Sequence, residues 1–180
     1  IGATVVASMP TEDRRAAVRA ILGSIDQFMT GFDDVVRRLA ERNRAVNEGM
    51  APLARRAAAL LGEVTESAIS ENDMAVATYT ARAQEQVALV QLNAQRFLAN
   101  PEQGLVAAAN EQIGNLELAL DEVSLQNRNR ERGAKIDEVG AIVPRFRTAF
   151  NAAVAAIAEV NRIVDQVGAR QADEVASALT

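Results

Sequence analysis

The segment FMTGFDDVVRRLAERNRAV at residues 28–46 returns as FRTAFNAAVAAIAEVNRIV at residues 146–164. Both copies keep two phenylalanines four residues apart and a Glu-x-Asn-Arg run, which are harder to attribute to chance than their shared alanines. Apolar residues recur in each copy at the spacing of an amphipathic α-helix. An internal repeat constrains the whole architecture. Here the repeated unit is one long helix, which cannot bury its apolar stripe alone.

The apolar residues of the chain are almost entirely aliphatic. Hydrophobic residues make up 49% of the 180 residues but aromatic residues only 3%, so the core must be built from Ala, Val, Leu and Ile. Such a core favours closely packed helices over a sheet sandwich, which would need β-branched and aromatic alternation. No segment alternates with period two over the length of a strand. The sequence therefore predicts an all-α fold.

The charged and reactive residues exclude several classes of function. The formal net charge is −5, and the chain has neither histidine nor cysteine. The acidic balance argues against nucleic acid as a partner, because phosphate binding needs a concentrated basic face. The missing residues are the usual general base, nucleophile and soft metal ligands. We therefore expect no enzyme activity, no catalytic or metal site, and no cofactor.

The first predicted helix begins after Pro10, where Thr11 provides a hydroxyl cap and acidic residues follow. Its apolar spacing continues to about Ile69. Gly49 and Pro52 interrupt it, and a proline inside a helix removes a hydrogen bond and clashes with the preceding turn. The interruption is either a kink in one helix or a hairpin near Gly49. We favour the kink, because the apolar rhythm runs on without a break in register.

Three further helices follow, separated by turn-forming residues. Caps and turn formers cluster at Ser70–Asp73 and predict a reversal there. Asn100 as cap and Pro101 at the first helical position give the clearest helix start in the chain. The predicted helices run from about Asp73 to Ala99, from Pro101 to the polar tract Gln126–Gly133, and from about Ala134 to the carboxyl end with a kink at Pro144.

The predicted helices differ greatly in length. Two of about 50 to 60 residues would span about 75 to 90 Å, and the two of about 26 residues between them about 40 Å. We therefore predict an elongated up-down-up-down four-helix bundle with two long kinked outer helices and a shorter inner pair. Half of its length holds the outer helices alone. Their apolar faces predict a parallel homodimer.

Four polar side chains on the second predicted helix are the candidate ligand-binding residues. Tyr79 and Arg82 lie in a concentration of aromatic, hydroxyl and cationic groups, which can line a small pocket or decorate the surface. Asn93 and Arg96 are three residues apart and share a helix face. They can bind a carboxylate between helices or tie the adjacent turn to its neighbours. The arginines of the tract Arg128–Arg132 can clamp an anion or stay solvated in a loop.

Three motifs are shared with a known family. They are Arg-Phe-Leu-Ala-Asn-Pro at Arg96–Pro101, Phe-Arg-Thr-Ala-Phe-Asn-Ala-Ala-Val-Ala at Phe146–Ala155, and Ala-Glu-Val-Asn-Arg-Ile-Val-Asp at Ala158–Asp165. Through them the chain resembles the extracytoplasmic sensor region of bacterial methyl-accepting chemotaxis proteins, of the helical bundle and helical bimodular types. The resemblance implies a homodimer anchored in the inner membrane, a periplasmic domain that binds a small organic acid or amino acid, and signalling by helix displacement. The chain is short for two full modules, so the number of pockets stays open.

The first ten residues shape the expected domain organisation. Residues 1–8 are uncharged and mostly apolar, although no run in the chain is long enough for a complete membrane helix. We interpret residues 1–10 as the end of a membrane helix or a linker, or alternatively as a packed or frayed terminus, and residues 11–180 as the helical sensor domain. Two other functions stay open: a helical scaffold without a ligand, and the sensor domain of a histidine kinase.

Overall fold

The structure is a computed structural model that describes the backbone of residues 11–178 and the side chains of residues 11, 12 and 15–170. All elements in this range are helical, which confirms the all-α prediction. The interpretation of residues 1–10 falls outside it. The elements are α1 (Glu12–Arg44), a π-helical turn (Ala45–Met50), α2 (Ala51–Ser70), α3 (Met74–Ala99), α4 (Gln103–Gln126) and α5 (Arg130–Ala178).

The described chain divides into two compact units. The four-helix unit is Glu41–Ala155 and contains the π-helical turn, α2, α3, α4 and the first half of α5. The two-helix unit consists of residues 12–40 of α1 and residues 156–178 of α5. Both inner helices, α3 and α4, thus belong to the four-helix unit together with only part of each outer helix. The backbone is helical through residues 45–50, so the alternative of a hairpin near Gly49 is wrong.

Neighbouring helices of the four-helix unit are antiparallel. Residue numbers rise along the first helical stretch as they fall along α5 in three contacts between the two: Gly49 with Ala149, Arg56 with Glu138, and Glu63 with Lys135. Links of three residues each join α2 to α3, α3 to α4 and α4 to α5. Links this short make consecutive helices reverse direction. The up-down-up-down order is therefore as predicted.

The core of the four-helix unit is aliphatic, as the composition requires. Buried alanines such as Ala57, Ala83 and Ala153 allow the helix backbones to approach closely. Phe97 packs edge-on against Phe150, with ring centroids 5.7 Å apart. The largest fully buried apolar side chains are Phe150, Leu60, Leu61, Ile113, Val64, Val76, Val123 and Val139.

Two predicted helix starts are wrong for related reasons. Helix α4 starts at Gln103 and not at Pro101. The Asn100 side-chain amide donates to Glu102 instead of its oxygen capping the helix. Helix α5 starts at Arg130, four residues early, because the Asn129 side-chain oxygen accepts from the backbone N–H groups of the next turn at 2.9 and 3.2 Å. The start of α3 behind an Asp73 cap is confirmed.

The two copies of the repeat occupy different environments. Phe146 and Phe150 are buried in the four-helix unit, at 6% and 0% exposure. Their counterparts Phe28 and Phe32 lie in the two-helix unit at 48% and 55% exposure. The same local sequence therefore forms core in one unit and a surface stripe in the other.

Candidate functional site

The π-helical turn has a cause in the sequence. Pro52 has no backbone N–H, and its ring would collide with the carbonyl of Glu48 in a regular α-helix. The backbone widens instead, and the N–H of Ala51 donates to the carbonyl of Val46, five residues back. Single π-helical turns inside α-helices occur frequently at functional sites. The interruption at Gly49 and Pro52 therefore contains a widened helical turn, and the predicted kink there stays a prediction.

A groove of about 190 Å³ runs between this turn and α3 in the four-helix unit. Val46 and Met50 of the turn form one wall, and Leu98 of α3 forms part of the other. Phe146 of α5 contributes a buried aromatic surface. The ten lining residues are Val46, Met50, Ala51, Ala54, Arg55, Gln91, Ala94, Gln95, Leu98 and Phe146.

Three polar side chains converge on this groove. Gln91 and Gln95 are one turn apart on α3 and so share a face, and Arg55 is the fifth residue of α2. Arg55 forms no ion pair or hydrogen bond within the described part of the chain. Its neighbour Arg56 is held by Glu138 at 2.7 and 3.0 Å, and this bond raises the pKa of Arg56 and lowers the pKa of Glu138. Arg55 is therefore the guanidinium available to a ligand.

A small apolar void adjoins the groove. It measures about 20 Å³ and shares Ala54, Gln91 and Phe146 with the groove. Its other walls are aliphatic side chains, among them Val90 and Ile113. A space of this size holds a single small group, and its apolar lining offers too few partners for an ordered water. The site thus has a polar mouth and an apolar interior.

The predicted site residues lie outside this groove and form two separate pairs. The Arg82 guanidinium lies 5.8 Å from the centre of the Tyr79 ring and 3.8 Å from a carboxylate oxygen of Glu122. Asn93 is half-buried and Arg96 is exposed; they alternate along α3 with the groove residues but do not themselves line the groove. Arg82 and Asn93 are about 16 Å apart along the helix axis. The structure therefore does not bring the four predicted residues together.

The arginine tract also differs from its prediction as a loop. Arg130 and Arg132 belong to the first turn of α5, and Arg132 is buried at 3% exposure. Its guanidinium donates to the Asp73 carboxylate at 2.8 Å and to the Asn127 side-chain oxygen at 3.1 Å. Arg132 therefore ties the link before α3 to the link before α5, and its charge is already paired within the protein.

The two-helix unit contains a second, wider groove of about 320 Å³. Its charged groups largely satisfy one another: Arg162 donates to Glu159 at 2.8 Å and to Gln166 at 2.8 Å. The hydrogen bond from Arg162 lowers the pKa of the Glu159 carboxyl. Two carboxylates, Asp26 and Asp34, line the same groove. This surface offers no counterpart to the unpaired Arg55.

Comparison with known proteins adds no relative: no family model and no curated protein matches this chain. Among the described helices, none is both long and apolar enough to cross a membrane. The described residues also contain no acidic cluster arranged to hold a metal ion. The function must therefore be argued from the groove itself.

Proposed function

We propose that this chain is the ligand-sensing domain of a bacterial transmembrane chemoreceptor, placed on the periplasmic side of the inner membrane. It would bind a small organic acid or amino acid between its helices. The observation that supports this proposal is the groove beside the π-helical turn, where the unpaired Arg55 and two glutamines face an apolar interior. Small-molecule sites typically combine a concave apolar surface with a few convergent polar groups.

The π-helical turn suggests how occupancy would be signalled. Val46 and Met50 belong to the turn and also line the groove. A ligand that binds one geometry of the turn more tightly than another raises the population of the first. The size of this shift is set by the difference between its affinities for the two geometries. Because α1 directly precedes the turn, such a change would displace α1 along or about its axis. The proposal includes bends of the outer helices at Pro52 and Pro144, where each proline removes a backbone hydrogen bond.

The proposal also includes a homodimer formed through α1. Large apolar side chains follow the exposed face of this helix at intervals of three and four, the spacing of helix-to-helix seams. The stripe extends about 27 Å. Buried Phe146 and Phe150 show that the equivalent positions of the repeat can be core residues. The half-exposed members of the stripe are Ile21, Ile25, Phe28, Met29, Phe32, Val36 and Leu39.

A ligand screen by thermal unfolding tests the sensing function. A ligand that binds the folded chain must raise its apparent stability, by about 2.7 kcal/mol at a hundredfold excess over the dissociation constant. We expect organic acids or amino acids to raise the melting temperature in a dose-dependent manner. Absence of any shift across organic acids, amino acids, amines and neutral compounds would contradict the proposal and favour the helical scaffold.

Sedimentation equilibrium tests the homodimer. We expect the wild-type chain to be dimeric at micromolar concentration and Phe32→Glu to be monomeric, because a carboxylate would be buried in the seam. Ala20→Glu is the matched control, since Ala20 is exposed on the same helix but off the stripe. A monomeric wild type, or equal dissociation by both substitutions, would refute the homodimer.

A further inference from the structure

The charge of the groove restricts the head group of its ligand. Arg55 is the single charged residue among the ten that line it, and none of the ten is acidic. An ammonium group bound there would lack a carboxylate partner, and burying an unpaired charge is costly. A second carboxylate would likewise find no second cation. The lining therefore favours a ligand with one negative charge over a zwitterion or a dianion.

The apolar part of the groove restricts the rest of the ligand. Met50 and Phe146 are buried and Val46 and Leu98 are half-buried, so their exposed edges form a continuous apolar surface. The void shares Ala54, Gln91 and Phe146 with the groove and is otherwise lined by aliphatic side chains. An apolar body would displace water from these walls, which is the favourable term in such binding. The head group would stay at the mouth, beside Arg55.

The volume restricts the size. A cavity of about 150 Å³ lined by aliphatic and aromatic side chains accommodates benzene, which has about six non-hydrogen atoms. The groove is somewhat larger, at about 190 Å³, and the void adds about 20 Å³. By this comparison the site accommodates a molecule of about eight non-hydrogen atoms.

We infer that the groove binds a monocarboxylate with an apolar body of about five to six carbons, its carboxylate on Arg55 and its chain against Met50 and Phe146. This inference rests on the proposed sensing function and specifies its ligand class. Guanidinium is the side chain best matched to a carboxylate, because its planar fork donates two parallel hydrogen bonds. Gln91 and Gln95 supply further amide donors at the same mouth.

Titration calorimetry with a matched set of five probes, four of six carbons and one of two, tests the inference. Hexanoate carries the predicted head and body. Norleucine adds an ammonium, hexanedioate adds a second carboxylate, 1-hexanol removes the charge, and acetate removes the body. We expect hexanoate to bind at least about tenfold more tightly than each of the other four, since a hydrogen bond to a charged group contributes about a factor of ten or more.

Two variants locate the binding site. Arg55→Gln should weaken hexanoate binding about tenfold or more, for the same reason. Because the Arg55 side chain is exposed and unpaired, this change should leave the fold intact, and far-ultraviolet circular dichroism checks that it does. Arg128→Gln is the matched control, since Arg128 is an exposed arginine in the link before α5 and away from the groove. It should leave hexanoate binding unchanged.

The outcomes separate this inference from the proposed function. If norleucine, hexanedioate or 1-hexanol binds as tightly as hexanoate, or if Arg55→Gln binds hexanoate normally, the monocarboxylate inference is overturned while ligand sensing stands. The same holds if hexanoate fails to bind but another compound stabilises the wild-type chain. If no compound in either panel binds, both are overturned.

Discussion

A β-carbon placed on Gly49 would lie 2.8 Å from the β-carbon of Ala149. Two methyl-sized groups cannot occupy that separation, so the π-helical turn and α5 approach each other as closely as they do because residue 49 has no side chain. The contact lies one residue from Met50, which is buried and lines the groove. The width of the groove thus depends on this helix approach.

Gly49→Ala should destabilise the four-helix unit by about 1 to 3 kcal/mol, the usual cost of forcing an extra methyl into a packed contact. This runs against helix propensity, which favours alanine over glycine by about 1 kcal/mol. Urea unfolding measures the change. Gly140→Ala is the control, because nothing lies within 4 Å of its added carbon, and it should stabilise the protein by about 0.5 to 1 kcal/mol. Stabilisation by both substitutions would show that the Gly49 contact is not tight.

Phe150→Ala should cost about 3 to 5 kcal/mol of unfolding free energy, because it leaves a cavity beside Phe97 in the fully buried core. The repeat supplies the control. Phe32 is the equivalent residue at 55% exposure, and Phe32→Ala should change the stability of the isolated chain much less. Both are measured by chemical unfolding at a concentration too low for association. Equal losses would mean that Phe32 is buried in the folded chain.

Arg132→Gln should cost about 2 to 4 kcal/mol, because it leaves the partly buried Asp73 carboxylate without its partner. Asp73 also caps α3 through the backbone N–H of Val76, so fraying at the start of that helix should accompany the loss. Hydrogen exchange of the first amides of α3 reports this fraying. Arg56→Gln is the control, since it breaks a pair in which both side chains are about half exposed, and its effect should be much smaller. A similar loss in the two variants would argue against the buried clamp.

Protonation of Glu138 should contribute to the loss of stability of the four-helix unit in acid. Hydrogen bonding to Arg56 lowers the pKa of Glu138 in the folded chain, so the stabilisation is complete above the ordinary glutamate pKa of about 4.3 and disappears as the pH falls through the lower folded value. The melting temperature of Glu138→Gln should therefore lie below that of wild type at pH 7, and the difference should shrink as the pH falls below about 4.3. A difference that is constant with pH would contradict this coupling.

The sequence was sufficient for the helices but not for the groove. The spacing of apolar residues and the turn formers at Ser70–Asp73 are local features that do not depend on how the helices pack. The fold class and the order of the helices could therefore be predicted. The errors at Asn100 and Asn129 arose because an asparagine side chain can cap a helix or bond elsewhere, and the sequence does not show which bond it forms. The groove joins residues from separate helical segments, and none of its polar members was among the four candidate residues predicted from the sequence. Whether Tyr79, Arg82, Asn93 and Arg96 bind a ligand stays a prediction.

Because the four-helix unit has four antiparallel helices, the chain leaves this unit at the same end at which it entered. This has a consequence for the rate of folding. The two segments of the two-helix unit are separated in sequence by Glu41–Ala155. Pairing them first would require closure of a very long flexible loop, whose entropic cost must be met before any contact forms. The contacts between α3 and α4 are far more local. We expect the four-helix unit to fold first. The two segments of the two-helix unit can then pair without closing a long flexible loop.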